Sequence, residues 1–174
     1  MKTLIIDTET TGLIKNSLQP LERQPHIVEL FALSLDKDNE EKFHSFFKQS
    51  VKLSEEIIRI TGINDAMLVD APFFSESAEN IKLMIEGHNE VIAHNAAFDT
   101  GMVDLEMKRV GLSVTWPKII CTVESTIHIK GHRLKLSDLH QVLFGEDFDG
   151  AHRAESDVRA LRRCVLKLRE LEMI

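Results

Sequence analysis

The amino-acid sequence predicts an α/β protein, a mixed β-sheet carrying helices on its faces. Three observations predict it. Segments rich in β-branched and large apolar residues crowd the first 47 positions; helix-period segments then alternate with short apolar runs; and the strongest amphipathic stripe closes the chain.

KTLII (2–6) and IVELFALSL (27–35) read as strands, the second alternating over part of its length. The stretch 13–26 between them holds Asn16, Ser17, Pro20 and Pro25 and reads as a loop. Asp36-Lys37-Asp38-Asn39 reads as a turn into a third strand, EKFHSFF (41–47), completing an antiparallel meander. Ser54 before Glu55 and Glu56 is an N-cap signature for a short helix that Gly62 closes. Apolar residues at 78, 81, 84 and 85 set a helix over 75–86, stopped by Gly87. EVIA (90–93) is a fourth strand, Phe98, Met102, Leu105 and Met107 mark a helix over 96–110 ended by Gly111, and KIIC (118–121) is a fifth strand. A short amphipathic helix follows at 137–144, then a loop, GEDFDG. Apolar residues at 158, 161, 165 and 168 define the last helix, over about 154–172. Three antiparallel strands followed by helix, strand, helix, strand, helix make an α/β sandwich.

With 174 residues, 43% of them hydrophobic, the chain is expected to form one domain over 1–174 whose core needs no staples. Cys121 and Cys164 stand far apart without CxxC spacing, so they read as reduced core thiols rather than zinc ligands or a disulfide. No signal-peptide core follows Met1-Lys2, and no apolar run approaches the roughly 18 residues that span a bilayer, so a cytoplasmic protein without a membrane partner is expected. The net charge of -7 excludes broad electrostatic attraction to nucleic acid. A nucleic-acid partner must then be held locally, by metal ions, backbone amides and stacking.

LIIDTETTG (4–12) poses the chemical question. Asp7 and Glu9 stand at i and i+2 of a strand, on one face, the placement needed to share a divalent cation, while Thr8 points away. Alone, such a pair is also how a polar strand end before a turn looks. Two later segments add to it. In VIAHNAAFD (91–99) a short strand breaks at His94-Asn95 into a helix with Asp99 in its first turn, a position that the helix dipole by itself favours. In HRAESDVRAL (152–161), His152 and Asp157 are five residues apart, about 140° out of phase on one regular helix. If both serve a site, His152 stands in the loop before the helix and Asp157 in its first turns.

DTETTGL, HNAAFD and HRAxxD, in that order and separation, resemble the three exonuclease motifs of the DnaQ-like DEDDh superfamily, and the resemblance runs from residue 4 to about 165. It implies a ribonuclease H-like three-layer sandwich with a mixed five-stranded sheet, three antiparallel strands then two parallel, flanked by helices. It also implies 3'-to-5' exonucleolytic release of nucleoside monophosphates with two Mg²⁺ or Mn²⁺ ions per site. On this resemblance Asp7, Glu9, Asp99 and Asp157 are the acidic set around the metals, Asp99 acting through a metal-bound water, and His152 is the general base. Thr10, Gly12 and Leu13 would lie along the 3'-terminal nucleotide, Phe98 would wall the base pocket, and Glu56 would contact the terminal sugar. The family often has a histidine where this chain has Thr61, which leaves a sugar contact there unsupported. For Leu13 and Phe98, ordinary packing is the competing explanation.

The chemistry suits the residues. Two metals about 3.5–4 Å apart can activate water and absorb charge on the leaving oxygen. Carboxylate oxygens favour Mg²⁺ or Mn²⁺, whereas zinc would recruit His or Cys. A histidine with an ordinary pKa near 6.5 can take the water's proton at neutral pH. Lys130, His132, Arg133 and Lys135 in IKGHRLK (129–135) read as a basic loop, either solvated or tracking phosphates, and the basic residues of the last helix as a solvated face or an acidic-partner surface.

The expected partner is a single-stranded or frayed 3' end of DNA, with a DNA polymerase as a candidate protein partner. The sequence stops at Ile174 directly after the last helix, so polymerase docking is expected to use the globular surface. An exoribonuclease of the RNase T or oligoribonuclease type shares these motifs, and the 2'-OH is discriminated by pocket shape. A non-catalytic nucleic-acid-binding or polymerase-assembly module is expected to lack a carboxylate or the histidine. A dehalogenase-type phosphatase needs a second Asp where Glu9 stands.

Overall fold

The consecutive apolar residues Leu4, Ile5 and Ile6 suit a strand covered on both faces, and in the computed structural model, which describes residues 2–35 and 41–174, β1 (Thr3–Thr10) runs through the middle of the sheet. β2 (Ile27–Ser34) pairs antiparallel with β1, and β3 (Lys42–Phe46) antiparallel with β2. After α1 (Glu55–Thr61), α2 (Asp65–Leu68) and α3 (Phe74–Glu86), β4 (Glu90–Ala93) adds parallel to the other edge of β1. α4 (Ala96–Arg109) then crosses over to β5 (Lys118–Cys121), parallel to β4, and α5 (Thr122–Lys130), α6 (Leu136–Phe144) and α7 (Ala154–Glu170) complete the chain. The five-stranded order is β3-β2-β1-β4-β5, the mixed sheet flanked by helices that the sequence predicts.

Strand alternation sorts the core into layers. Leu4 and Ile6, with Leu30 and Ala32 of β2, pack against Ile81 and Ile85 of α3 and Met102 and Val103 of α4. Ile5, with Phe31 and Leu33 of β2 and Ile92 of β4, packs against Leu139 of α6 and Val158, Leu161 and Val165 of α7. A small third cluster, Val28, Leu53, Ile63 and Leu68, seats α1 and α2 against β2. The predicted cap of α1 forms, Ser54 Oγ accepting from Ile57 N at 3.3 Å, and Gly62 closes the helix in the left-handed region at φ 69°.

Three features depart from the expectation. β1 continues four residues past its apolar run, because Asp7–Thr10 keep pairing with β2 while their side chains stay polar. α5 and the single turn of α2 lack an apolar stripe and are not legible by periodicity; of α5 only Thr122, Val123 and Thr126 are buried. The basic segment 129–135 is therefore not all loop, since Ile129 and Lys130 end α5 and Gly131, at φ 76°, caps it. The turn expected at Asp36–Asn39 lies outside the described residues. Cys121 and Cys164 are free thiols, and among the described residues no helix is long and apolar enough to cross a membrane.

Candidate active site

In open α/β sheets, ligands bind beyond the carboxyl ends of the parallel strands, where crossover connections part. Here those ends belong to β1 and β4, and the acidic residues singled out in the sequence gather there. Asp7 and Glu9 share the face of β1 that α7 covers, and Asp157 projects from the start of α7. Asp7, Glu9 and Asp157 each place a carboxylate oxygen within 4.8 Å of the other two. A register shift between Glu9 and Thr10 marks a bulge where β1 leaves the ladder, a device that re-aims side chains beside a site.

Asp99 approaches from the opposite layer and stands outside that three-way group. It sits in the first turn of α4, buried, and its Oδ1 accepts from Thr8 N at 3.0 Å and Thr8 Oγ1 at 2.8 Å. Thr8 points away from Asp7 and Glu9, as the strand period requires, and that is what brings it to Asp99.

The electrostatics describe a site short of positive charge. Burial, then the Asp99, Asp157 and Glu9 carboxylates, push Asp7 well above the ordinary carboxylate range. Burial and the charges of Asp157 and Glu29 raise Glu9 to about 8, against a smaller lowering by Arg153. Asp99 is raised to about 7 by burial despite its bonds from Thr8, and Asp157 to about 6 by burial against the hydrogen bond from His152 N. Desolvation and mutual repulsion both disfavour the charged forms. A bound cation relieves both, so the donor set, all hard oxygen, fits a divalent metal of the Mg²⁺ or Mn²⁺ kind.

His152 stands in the segment before α7, exposed, with φ 66°; its N donates to Asp157 Oδ2 at 2.9 Å. Next to it, Arg153 and the N–H of Ala154 both donate to Glu29, which lies directly across the ladder from Glu9. Glu29 and Thr8 were missed by sequence reasoning. The signal for Glu29 was one acidic residue in the otherwise apolar run IVELFAL.

Thr10, Gly12, Leu13, Glu56 and Phe98, the five residues predicted to meet substrate, all line one cleft of about 440 Å³, which Glu9 also borders. That volume is in the range of sites for small organic ligands. Thr10 Oγ1 donates to Gly12 O at 2.8 Å and so folds the turn along the cleft floor. Leu13 is 78% exposed, so it is not a packing residue, and Phe98 is half-buried. Thr61 also lines this cleft, but it is buried and its hydroxyl is engaged with the backbone, Oγ1 donating to Ile57 O and accepting from Ile63 N.

Other motif residues are structural. Burial lowers the pKa of His94, which donates from Nε2 to Leu134 O and meets Thr122 Oγ1 at Nδ1. Asn95 opens α4 from the left-handed region, and its Oδ1 accepts from Arg133, which also pairs with Glu124. On α7, Arg159 pairs with Glu155, Arg163 with Glu146 and Lys167 with Glu170, as a solvated face does.

A mixed sheet of this order with carboxylates converging beside an open cleft defines the class, and residues 4–164 match the exonuclease family RNase_T. The chain belongs to that exonuclease family, whose members generally use divalent metals. It is 34% identical over 176 residues to a DNA polymerase III PolC-type protein of Staphylococcus saprophyticus, covering 98% of this chain and 12% of that protein. It is 32% identical over 130 residues to DNA polymerase III subunit epsilon of Pasteurella multocida, covering 74% of this chain and 50% of that one. The chain thus spans half or less of the length of these relatives. Among solved structures, exonuclease X in complex with 5'-overhanging duplex DNA superposes with a TM-score of 0.66 at 22% identity, over 97% of this chain and 92% of that one. A 3'-exonuclease recognising the 3' end of a histone mRNA stem-loop does so with a TM-score of 0.73 at 17% identity, over 96% of this chain and 63% of that one. Both likenesses speak for the fold.

Proposed function

We propose that the protein is a divalent-metal-dependent 3'-to-5' exonuclease that removes nucleoside monophosphates from single-stranded or frayed 3' ends of DNA. The observation that carries this reading is the convergence of Asp7, Glu9 and Asp157 within 4.8 Å of one another at the edge of the 440 Å³ cleft. Asp7, Glu9 and Asp157 would hold Mg²⁺ or Mn²⁺, with Asp99 completing the acidic set. When bound, two such ions supply charge stabilisation and lower the pKa of water.

The chain's own groups then divide the remaining tasks. His152 accepts the proton of the attacking water at its imidazole, and its place on an exposed segment outside α7 lets it meet a substrate that arrives from solvent. Thr8 keeps Asp99 oriented. The turn Thr10–Leu13 and Phe98 receive the terminal nucleotide, while Glu56, exposed at the rim, is placed for its sugar. Relatives named as DNA polymerase III components favour DNA over RNA and proofreading beside a polymerase over free-standing turnover.

The test is digestion of matched 5'-labelled DNA and RNA oligonucleotides by purified protein with Mg²⁺, Mn²⁺ or EDTA. The reading expects a metal-dependent ladder shortening from the 3' end on DNA and little on RNA. A preference for RNA moves the protein to RNA trimming, and no metal-dependent ladder from folded protein overturns the reading.

A further inference from the structure

Glu29 is fully buried, the third residue of β2, where its charge is felt by Asp7, Glu9 and Asp157 and its strand neighbours are apolar. A buried charge in such a place is costly unless every lone pair is met. Here they are met, and by an informative set of donors. Oε2 accepts from Arg153 Nε at 3.2 Å and from Ala154 N at 3.3 Å. Oε1 accepts from Arg153 Nη2 at 3.3 Å and from His44 Nε2 at 2.8 Å. Three of the four bonds come from two consecutive residues, those at which α7 begins. Arg153 is the N-cap of α7 but its side chain makes no capping bond to the helix's first N–H groups, so a carboxylate from the sheet meets the N–H of Ala154 instead. The guanidinium also lies over the Phe46 ring, 5.4 Å from its centroid, which shuts the clamp from the β3 side.

His152 is the next residue toward the N-terminus, and Asp157 is one turn further along the helix. We propose that Glu29 is a positioning residue: by clamping Arg153 and Ala154 to β2 it fixes the pivot that aims His152 at the carboxylate cluster on the neighbouring strand. This rests on the reading of His152 as the general base. Glu29 is not itself placed to hold a metal, because both its oxygens are spent on donors and it falls outside the group formed by Asp7, Glu9 and Asp157. Two other roles make different forecasts. A carboxylate that only tunes the charge of the cluster acts whether or not His152 is present, and one that only stabilises α7 changes melting without changing turnover of the folded protein.

The experiment is a double-mutant cycle with hydrogen exchange beside it. E29Q, H152A and the double variant are compared with the parent in steady-state hydrolysis of a 3'-mismatched DNA oligonucleotide with Mn²⁺, below each variant's melting temperature. E29Q is expected to lower kcat about 10- to 100-fold, the cost typical of losing a partner that orients an active-site group, with KM unchanged. On the H152A background the same substitution should lower kcat by less than about 2-fold, because the group it aims is gone. Equal losses in both backgrounds, or a shift in melting with kcat unchanged, overturn the proposal. Amide exchange of 150–154 should quicken at least about tenfold in E29Q while that of β1 and α4 holds, and unchanged exchange at 150–154 overturns the proposal whatever the protein hydrolyses. If E29Q does not fold, R153Q opens the clamp from its solvent side and is read against the same criteria. A parent protein without nuclease activity defeats the functional reading, and the exchange result then decides on the clamp separately.

Discussion

Replacing Asp157 by Asn separates what the acidic cluster does for chemistry from what it costs the fold. Asn keeps the size of the side chain and an oxygen that can accept from His152 N, so the substitution removes the charge and little else. The folded-state pKa of Asp157 is raised to about 6 from an ordinary value of 3.8, chiefly by burial. A raised carboxylate means that the folded chain binds the proton more tightly than the unfolded one, so stability falls as pH rises from about 4 through about 6. The difference is about 2 pKa units, or about 3 kcal/mol once the group is fully ionised at pH 8. In EDTA at pH 8, D157N should therefore be the more stable protein by up to about 3 kcal/mol, or about 6–12 °C in Tm for a chain of this size, and by roughly half as much at pH 5. Saturating Mn²⁺ should narrow or reverse the gap, because ligand at a hundredfold excess over Kd stabilises the parent by about 2.7 kcal/mol and binds the variant less. Circular-dichroism melts at the two pH values, with and without metal, measure all four numbers. If D157N melts below the parent in EDTA at pH 8, the carboxylate is a net stabiliser and the account of the cluster as a site awaiting a cation is refuted.

Other perturbations test the remaining parts. H152A should lower kcat by about 10²- to 10⁴-fold while calorimetric Mn²⁺ binding is retained; lost metal binding would make His152 a ligand instead. T8V removes the Oγ1 donor to Asp99 at 2.8 Å but leaves the backbone N–H, and should reduce kcat about tenfold with the fold intact; full activity would show that the N–H alone orients Asp99. Metal binding at pH 7 should release protons, detected as a dependence of calorimetric heat on buffer ionisation enthalpy, and the apparent affinity should climb by about tenfold or more per pH unit between pH 6 and 7 as protons leave Glu9, whose pKa is about 8, and Asp7, which burial also raises. A pH-independent affinity would place the metal elsewhere.

The parts legible in the sequence are those that obey a local period. Strands with apolar runs, the stripe of α7, the Ser54 cap and the i, i+2 pair Asp7 and Glu9 all follow from spacing, and all stand in the structure where spacing puts them. α5 carries no such period, because Thr122 and Thr126 are buried through hydrogen bonds, to the His94 ring and to Thr122 O respectively, rather than through an apolar face. The roles of Thr8 and Glu29 are likewise invisible locally. Each faces a residue about 90 or more positions away, Thr8 meeting Asp99 and Glu29 meeting Arg153, so the role exists only once β1 and β2 lie side by side between α4 on one face and α7 on the other.

The buried acids of this fold divide by how their charge is met, and the division separates scaffold from site. Glu29, Glu90 and Glu106 are each nearly inaccessible, and each is paired with an arginine: Arg153 at 3.2 Å, Arg169, and Arg109 at 3.0 Å respectively. They tie α7 to β2, the end of α7 to β4, and α4 to the start of β2, where Glu106 also accepts from Ile27 N. Asp7, Glu9, Asp99 and Asp157 form no ion pair within 4.0 Å among the described residues, and all four are pushed upward in pKa. A fold that supplies an arginine to three buried carboxylates and withholds one from four others, placed together beside an open cleft, leaves their countercharge to come from outside. That is the condition under which a divalent ion binds tightly and protons are displaced, which ties the stability of D157N and the proton release on metal binding to one cause.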